Sequence, residues 1–214
     1  MDDLKNSEPW RIFRIQSELV DGFETLHDLG PAVSIFGSAR MTPGSFYYEM
    51  AVDLGRKLSE EGFAVITGGG PGIMEGANKG AKEGIGKSVG LNIEIAAEQI
   101  PNKYQDISLS FRYFFVRKLM FIKYASAFVI FPGGFGTMDE LFEALTLSQT
   151  HKIGTFPIVL VGKNYWGGLV DWFKNNLVKN NAIDPEDMGL ISLVDDVDDV
   201  CKILKEHRKH FESK

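Results

Sequence analysis

The chain has 214 residues, of which 23 are glycine, and it carries a formal net charge of −6. With 44% hydrophobic and 24% charged residues it has the composition of a folded globular protein, and its length suits a single domain spanning residues 1–214. The negative charge argues against a general binder of nucleic acid or of acidic membrane surfaces, so neither is an expected partner.

The hydrophobic pattern predicts strands and helices that alternate along the chain. Short apolar runs that end at glycine indicate strands, and apolar residues three and four positions apart indicate helices. In chain order the predicted elements are a leading helix within residues 1–30 (Ser7–Leu26), a strand at Ala32–Phe36, a helix from Ser45 to Gly62, a strand at Phe63–Thr67, a helix ending near Glu83, strands at Ser88–Ile93 and Ile107–Phe111, a helix at Phe114–Tyr124, a strand at Ala127–Phe131, a helix at Met138–Ser148, a strand at Pro157–Val161, a helix at Trp166–Leu177, a strand at Leu190–Val194, and a terminal helix within residues 195–214 (Val197–His210). Residues 94–105 show no period and are predicted to be irregular.

Continuous apolar strands that alternate with helices are typical of a parallel sheet covered by helices on both faces. The expected fold is therefore a doubly wound, Rossmann-like α/β domain with a mostly parallel sheet. In such a fold the ligand lies at the carboxyl ends of the strands, where the strand order reverses. Glycine clusters follow the predicted strands at Phe36, Thr67 and Phe131, so all three clusters are expected at that edge.

Two common nucleotide-binding motifs are not satisfied. The stretch Ala81–Ser88 nearly has the spacing of a P-loop, but it ends a helix and enters a strand, whereas a P-loop follows a strand and opens a helix. Neither Gly68–Gly76 nor Gly133–Glu140 has the G-x-G-x-x-G spacing of a dinucleotide site. A nucleoside triphosphate site and a nicotinamide-dependent enzyme are therefore both disfavoured.

The cluster Gly68–Gly76 has more glycines than one tight turn requires. These glycines would let the backbone lie flat against a ligand, with the N-terminus of the following helix facing an anion. Two polar residues of that helix, Glu75 and Asn78, are either ligand contacts or capping and surface residues.

The cluster Pro132–Glu140 also follows a buried strand and opens a helix. Thr137 is expected either to cap that helix or to donate its hydroxyl to a phosphate oxygen. Glu140 is expected in the first helical turn, where the helix dipole favours an ionised carboxylate. Capping is a common role for such a residue, but a neighbouring phosphate cradle favours a functional one.

Three cationic residues, Arg112, Arg117 and Lys118, lie among aromatic residues upstream of this cluster. In an acidic protein the group indicates contact with an anion or a base, and the alternative is a solvated helix face. The aromatic residues of 111–121 belong either to the core or to a dimer interface.

Disulfide, metal and serine-nucleophile chemistry have little support in the sequence. Cys201 is the only cysteine, which excludes an intramolecular disulfide and makes a cytoplasmic location the default expectation. No apolar run reaches the length of a membrane span, and the polar N-terminus is no secretory signal. The sequence offers no carboxylate partner or third metal ligand for His207 and His210. Ser38 does not lie in the G-x-S-x-G motif of a nucleophilic serine.

These motifs together resemble those of the LOG family, the cytokinin riboside 5′-monophosphate phosphoribohydrolases formerly labelled lysine decarboxylase-like. The P-G-G-x-G-T-x-x-E motif is present at Pro132–Glu140, with Arg117 and Lys118 upstream of it. Gly37–Arg40 and Gly68–Gly76 are similar to the family's other phosphate-side loops, and the sequence FRYFFVRK resembles its longer bacterial branch.

The resemblance implies an enzyme that hydrolyses the N-glycosidic bond of a purine or cytokinin nucleoside 5′-monophosphate, as an AMP nucleosidase does, and releases the free base and ribose 5-phosphate. It implies Arg117 and Glu140 as the catalytic pair, with an ionised Glu140 stabilising an oxocarbenium-like state. It also implies a homodimer or a higher homo-oligomer. The substrate-binding residues implied are Ser38, Arg40, Gly69, Gly70, Gly72, Glu75, Lys118, Gly133, Gly134, Gly136 and Thr137.

No metal or organic cofactor is expected for such a reaction. The decarboxylase label has no support, because no lysine lies in a recognisable pyridoxal-binding context. A non-enzymatic nucleotide-binding or regulatory module on the same fold is the alternative, since a fold does not determine a function.

Overall fold

The computed structural model describes residues 8–94, 100–152 and 156–212, with side chains up to Arg208. Ser7 and residues 95–99, which belong to the predicted leading helix and the predicted irregular segment, lie outside the described residues. The strands are β1 (Ala32–Phe36), β2 (Ala64–Thr67), β3 (Ser88–Ile93), β4 (Ile107–Phe111), β5 (Ala127–Ile130), β6 (Ile158–Val161) and β7 (Ile191–Val194). The α-helices are α1 (Glu8–Leu26), α2 (Phe46–Glu60), α3 (Ile73–Ala81), α4 (Phe114–Tyr124), α5 (Phe135–Gln149), α6 (Lys163–Trp172) and α7 (Val197–Glu212). A π-helical turn (Phe173–Val178) follows α6, and a short 3₁₀ helix (Pro185–Leu190) precedes β7.

The seven strands form one sheet in the order β4-β3-β2-β1-β5-β6-β7, and all neighbouring pairs are parallel. This confirms the doubly wound α/β prediction. The chain adds β2, β3 and β4 on one side of β1 and then places β5 on the other side, so the strand order reverses between β1 and β5. The loops after these two strands leave in different directions, which opens a crevice at the carboxyl edge of the sheet.

Side chains of alternate residues in the central strands enter two separate cores, one on each face of the sheet. In β1, Val33 and Ile35 belong to one core, and Ala32 and Phe36 to the other. Because both faces are covered, the strand reads as an uninterrupted apolar run in the sequence. In the edge strand β4 (Ile107–Phe111), exposed residues alternate with more buried ones, as expected where helices cover the sheet less completely.

Two helices on one face, α2 and α3, approach each other closely at glycines. A Cβ atom placed on Gly80 would lie 1.8 Å from the carbonyl oxygen of Val52, and one placed on Gly55 would lie 2.2 Å from the carbonyl oxygen of Ala77. Both positions contact backbone, which has little freedom to move away. The α3 helix follows one of the glycine-rich loops. Its packing against α2 therefore depends on the absence of a side chain at Gly55 and Gly80.

Replacing Gly80 by alanine is expected to lower the free energy of unfolding by about 3 kcal/mol, because the methyl group forces α2 and α3 apart. Urea unfolding would measure the effect. The matched control is Gly167→Ala in α6, where a Cβ meets nothing within 4 Å; that change should leave the stability unchanged or raise it by up to about 1 kcal/mol. Equal effects at the two positions would contradict the interpretation.

No helix in the described ranges is long and apolar enough to cross a membrane.

Candidate active site

A cavity of about 740 Å³ opens at the carboxyl edge of the sheet, where β1 and β5 diverge. The register of the two strands pairs Phe36 with Ile130, so their loops begin at the same level, and the amide of Ser38 donates a hydrogen bond to the carbonyl of Pro132 at 2.9 Å. The cavity thus lies at the predicted edge. Of the residues implied by the family resemblance, it is lined by Ser38, Arg40, Arg117, Gly133, Gly134, Gly136, Thr137 and Glu140.

One end of the cavity is formed by the N-terminus of α5. This helix begins after Gly134 without a side-chain cap, so the amide N–H groups of its first turn have no partner within the helix. A Cβ placed on Gly134 or Gly136 would enter open space, which means that the missing side chains leave the amides accessible. Thr137 is buried beside them and contributes a hydroxyl. These groups are suited to hold a phosphate dianion.

Glu140 lies in the second turn of α5. The prediction that it occupies the first turn is wrong, because α5 begins at Phe135 and not near Met138. The helix dipole acts mainly on groups in the first turn, so burial has the larger effect here. Glu140 is only 7% exposed, and this burial raises its pKa to about 7, although the charges of Lys118 and Arg117 act in the opposite direction. Burial therefore opposes the ionised form that the helix dipole was expected to favour.

One oxygen of the Glu140 carboxyl group is unsatisfied in this structure. Among the described residues, Oε2 of Glu140 has no hydrogen-bond partner although it is buried. Buried polar atoms are nearly always paired in folded proteins. The orphaned oxygen therefore marks Glu140 as an unusual group among the residues that line the cavity.

Arg117 enters the same cavity from α4. Its Nε donates to the carbonyl of Leu91 at 2.7 Å, its Nη2 donates to the carbonyl of Gly68 at 3.4 Å, and its guanidinium lies 5.2 Å from the centre of the Phe121 ring. Burial lowers the pKa of Arg117, and the charge of Glu140 offsets part of this change. Within the described part of the chain no ion pair joins Arg117 to Glu140. Both side chains line the cavity without forming an ion pair with each other.

Lys118, the next residue of α4, makes protein contacts and is not among the described residues that line the cavity. Its Nζ forms ion pairs with Asp139 at 2.9 Å and with Glu143 at 3.0 Å. Desolvation lowers the pKa of Lys118, but the two ion pairs outweigh this effect and the pKa is raised. The positive charge of Lys118 is thus held close to Glu140, where it offsets part of the increase in pKa that burial causes.

The glycine-rich loop after β2 contributes Gly68 to the described lining of the cavity, whereas Gly69, Gly70, Gly72 and Glu75 are not part of that lining. Gly72 has a positive φ of 71°, and a Cβ there would lie 2.3 Å from the carbonyl oxygen of Ser38. Its lack of a side chain therefore lets this loop pack directly against the loop after β1.

Neighbouring polar residues tie the same loop to the sheet. The carbonyl of Gly69 accepts hydrogen bonds from the backbone amide of Asn102 at 2.8 Å and from Nε2 of Gln105 at 2.9 Å. Asn78 is fully buried, accepts from the Thr67 hydroxyl at 2.5 Å and donates to other buried groups. It is thus neither a cap nor a surface residue. Glycines of this loop such as Gly69 and Gly72, which the sequence connected with a ligand, therefore serve to pack segments of the protein against each other.

Glu75 makes a specific contact away from the described cavity lining. Its Oε1 accepts a hydrogen bond from the hydroxyl of Tyr48 at 3.2 Å, and the tyrosine is almost completely buried. This contact links α3 to α2.

Sequence reasoning missed the apolar wall of the cavity and one polar contact to its phosphate end. The wall includes Met74, Ile93 and Phe114; Met74 and Phe114 belong to segments that the sequence singled out, but neither was predicted to form a cavity wall. The hydroxyl of Tyr165 in α6 donates to the carbonyl of Gly133 at 2.7 Å and steadies the glycine loop. No motif indicates Tyr165, because the contact joins a residue of α6 to the distant loop that follows β5.

Within the described ranges, no group of three or more His, Cys, Asp or Glu side chains is placed to hold a metal ion.

Comparison with known proteins identifies the family. The family model described as possible lysine decarboxylase matches residues 74–204. The chain is 30% identical over 161 residues to the cytokinin riboside 5′-monophosphate phosphoribohydrolase of Mycobacterium tuberculosis, covering 72% of this chain and 83% of that protein. It is 26% identical over 177 residues to a probable enzyme of the same description from Oryza sativa subsp. japonica, covering 81% and 76% of the two chains.

Solved structures show the same fold in proteins of another description. The Moco carrier protein from Chlamydomonas reinhardtii matches with a TM-score of 0.61 at 23% sequence identity, covering 84% of this chain and 98% of that chain. At this identity the likeness concerns the fold alone. The match to the family model and the similarity to the phosphoribohydrolases place this chain in the LOG family, whose model carries the description possible lysine decarboxylase.

Proposed function

We propose that this protein hydrolyses the N-glycosidic bond of a purine nucleoside 5′-monophosphate, either AMP or an N6-substituted relative, to the free base and ribose 5-phosphate. The observation that carries the proposal is the buried Glu140, which has an unpartnered oxygen and lies in a cavity with Arg117 and the exposed N-terminus of α5. The relatives described as phosphoribohydrolases support it.

The 5′-phosphate binds at the N-terminus of α5, where Gly134 and Gly136 leave the amides open and Thr137 adds a hydroxyl. This contact is remote from the bond that breaks. Its binding energy holds the ribose in position and thereby assists the reaction without taking part in it.

Glu140 acts next to the ribose. As the bond between C1′ and the base nitrogen breaks, its electron pair leaves with the base and positive charge develops on the sugar. The ionised carboxylate stabilises this charge and accepts a proton from the water whose oxygen bonds to C1′. The released base takes up a proton from the solvent, to which Glu140 returns the proton that it accepted. A pKa of about 7 suits a general base at neutral pH.

The base lies along the apolar wall formed by Met74, Ile93 and Phe114. Apolar side chains with a few directed polar groups are typical of small-molecule sites. Arg117 is held by two backbone carbonyls, and its charge assists the departing base and favours the ionised form of Glu140.

A substrate panel tests the proposal. Purified protein is incubated with AMP, GMP, CMP and N6-prenylated AMP, and the released base is measured chromatographically, with adenosine as the control that lacks the phosphate. We expect release from at least one purine monophosphate, and release from adenosine slower by about 100-fold or more, because the phosphate contact is lost. Absence of release from all nucleotides would refute the activity, and tight AMP binding without turnover would select a non-enzymatic nucleotide-binding module.

We also propose that the protein assembles as a homodimer or a larger homo-oligomer through α1 and α4. Trp10, Phe13, Phe114 and Phe115 are each more than half exposed on these two helices. Apolar side chains exposed together are typical of interaction surfaces. Light scattering after size exclusion would give a mass of at least two chains, and a mass of one chain would contradict the proposal.

A further inference from the structure

The N-terminus of α4, the helix that carries Arg117, is capped by a residue of a different helix. Oε1 of Glu18 in α1 accepts a hydrogen bond from the backbone amide of Arg112 at 3.0 Å, and its Oε2 accepts one from the amide of Tyr113 at 3.3 Å. Tyr113 is the N-cap residue of α4 and forms no side-chain cap of its own. A carboxylate at this place satisfies backbone donors and interacts favourably with the helix dipole.

Further contacts hold α1 against α4 over the length of α4. Near its start, the guanidinium of Arg11 lies 5.9 Å from the centre of the Tyr113 ring. Further along, a Cβ on Gly22 would lie 2.7 Å from Sδ of Met120, so the two helices are in close contact there. The α1 helix thus forms a support for α4, and Glu18 is the carboxylate that fixes the beginning of α4.

Arg117 is connected directly to the capped residue. Its backbone amide donates to the carbonyl of Tyr113 at 3.2 Å, and its side chain extends to the carbonyls of Leu91 and Gly68. A shift of Tyr113 therefore moves the backbone from which the guanidinium is placed. Displacements of about 1 Å in a catalytic group are enough to change rates by large factors.

We propose that Glu18 is a positioning residue for Arg117: by fixing the start of α4 it sets where the guanidinium lies in the cavity. Its role in the reaction rests on the function proposed above, whereas its role in fixing α4 does not. A residue that served only to attach α1 would alter stability and leave the reaction of a folded protein unchanged.

A double-mutant cycle in the full chain tests the coupling. We expect Glu18→Ala to lower kcat about 10- to 30-fold with KM within about twofold, because Arg117 is misplaced and the phosphate cradle is intact. Glu18→Gln, which keeps one of the two acceptor oxygens, should recover part of the loss. In an Arg117→Ala background, Glu18→Ala should change kcat less than about twofold, since its effect passes through Arg117. Losses that multiply in the double variant, or an unchanged kcat in Glu18→Ala, would overturn the inference.

Hydrogen exchange supplies a readout that does not depend on activity. In Glu18→Ala the amides at the start of α4 should exchange faster than in the wild type, whereas Glu24→Ala, a change at an exposed glutamate of the same helix, should leave them unchanged. Unchanged exchange in Glu18→Ala would refute the role of Glu18. Faster exchange in a protein that releases no base would instead support the positioning of α4 and refute the proposed function.

Discussion

Glu140→Gln is expected to reduce the rate of base release by about 100- to 10,000-fold, the range typical for loss of a general base. Glutamine has nearly the same size, so it occupies the same place on α5 but carries no negative charge and accepts no proton. KM should change little, because the phosphate cradle at Gly134 and Gly136 is untouched. Steady-state kinetics with the best nucleotide of the substrate panel would measure both constants.

The matched control for this substitution is Glu83→Gln, which makes the same chemical change at an exposed residue away from the described cavity lining. We expect wild-type rates from it. Base release that is unaffected by Glu140→Gln would exclude the role assigned to Glu140, even if the protein is a phosphoribohydrolase.

The same substitution is expected to stabilise the fold at alkaline pH. Burial raises the pKa of Glu140 from an ordinary 4.5 to about 7, so the folded state holds this proton more tightly than the unfolded state. As the pH rises from 4.5 to 7, the unfolded chain ionises first and the folded protein loses stability. Above pH 7 the loss reaches a plateau of up to about 3 kcal/mol, which follows from the size of the pKa difference.

Glutamine resembles the protonated carboxyl group at every pH, so the variant should lack this loss. We expect the two proteins to have similar free energies of unfolding at pH 4.5, and the variant to be more stable by up to about 3 kcal/mol at pH 8. Urea unfolding of both proteins at pH 4.5, 6, 7 and 8 would give the difference directly, because the effects of other titrating groups cancel. A stability difference that does not depend on pH would show that the pKa of Glu140 is not raised.

The expected loss of activity and the expected gain of stability in Glu140→Gln have the same physical cause. A carboxyl group that is buried and lacks a partner for one oxygen destabilises the folded protein once it ionises. The same environment brings its pKa close to neutrality, where a group is most effective in proton transfer. A variant that loses activity and gains stability at pH 8 would therefore be the expected signature of a functional site.

The fold could be predicted from the sequence because its signal is local and strong. Strands such as Ala32–Phe36 are buried on both faces, so nearly every residue in them is apolar, and glycines mark where they end. The glycine-rich clusters also indicated the correct edge of the sheet, since the carboxyl ends of parallel strands lie on one side. The strand order did not follow from these patterns, because it depends on which distant strands pair.

The candidate site could be predicted only in part. Ser38, Thr137, Arg117 and Glu140 belong to loops or helices that follow strands, so the sequence brought them to one edge and the structure places them in one cavity. The hydroxyl of Tyr165 carried no recognisable signal, and the glycine cluster that contains Met74 did not reveal the place of this residue in the apolar wall. Their positions depend on how α3 and α6 pack against the sheet.

The sequence alone determined the class of fold and the edge of the sheet at which the glycine clusters lie, since these follow from periodicity and local turn chemistry, whereas the candidate polar residues of the site came from the resemblance to the LOG family. The tertiary structure decided which groups surround each of these residues. It paired Lys118 with Asp139 and Glu143, and it placed Glu140 in the second turn of α5 with its pKa near 7. Desolvation and charge pairing depend on the atoms that surround a group in space, and those atoms come from segments far apart in the chain.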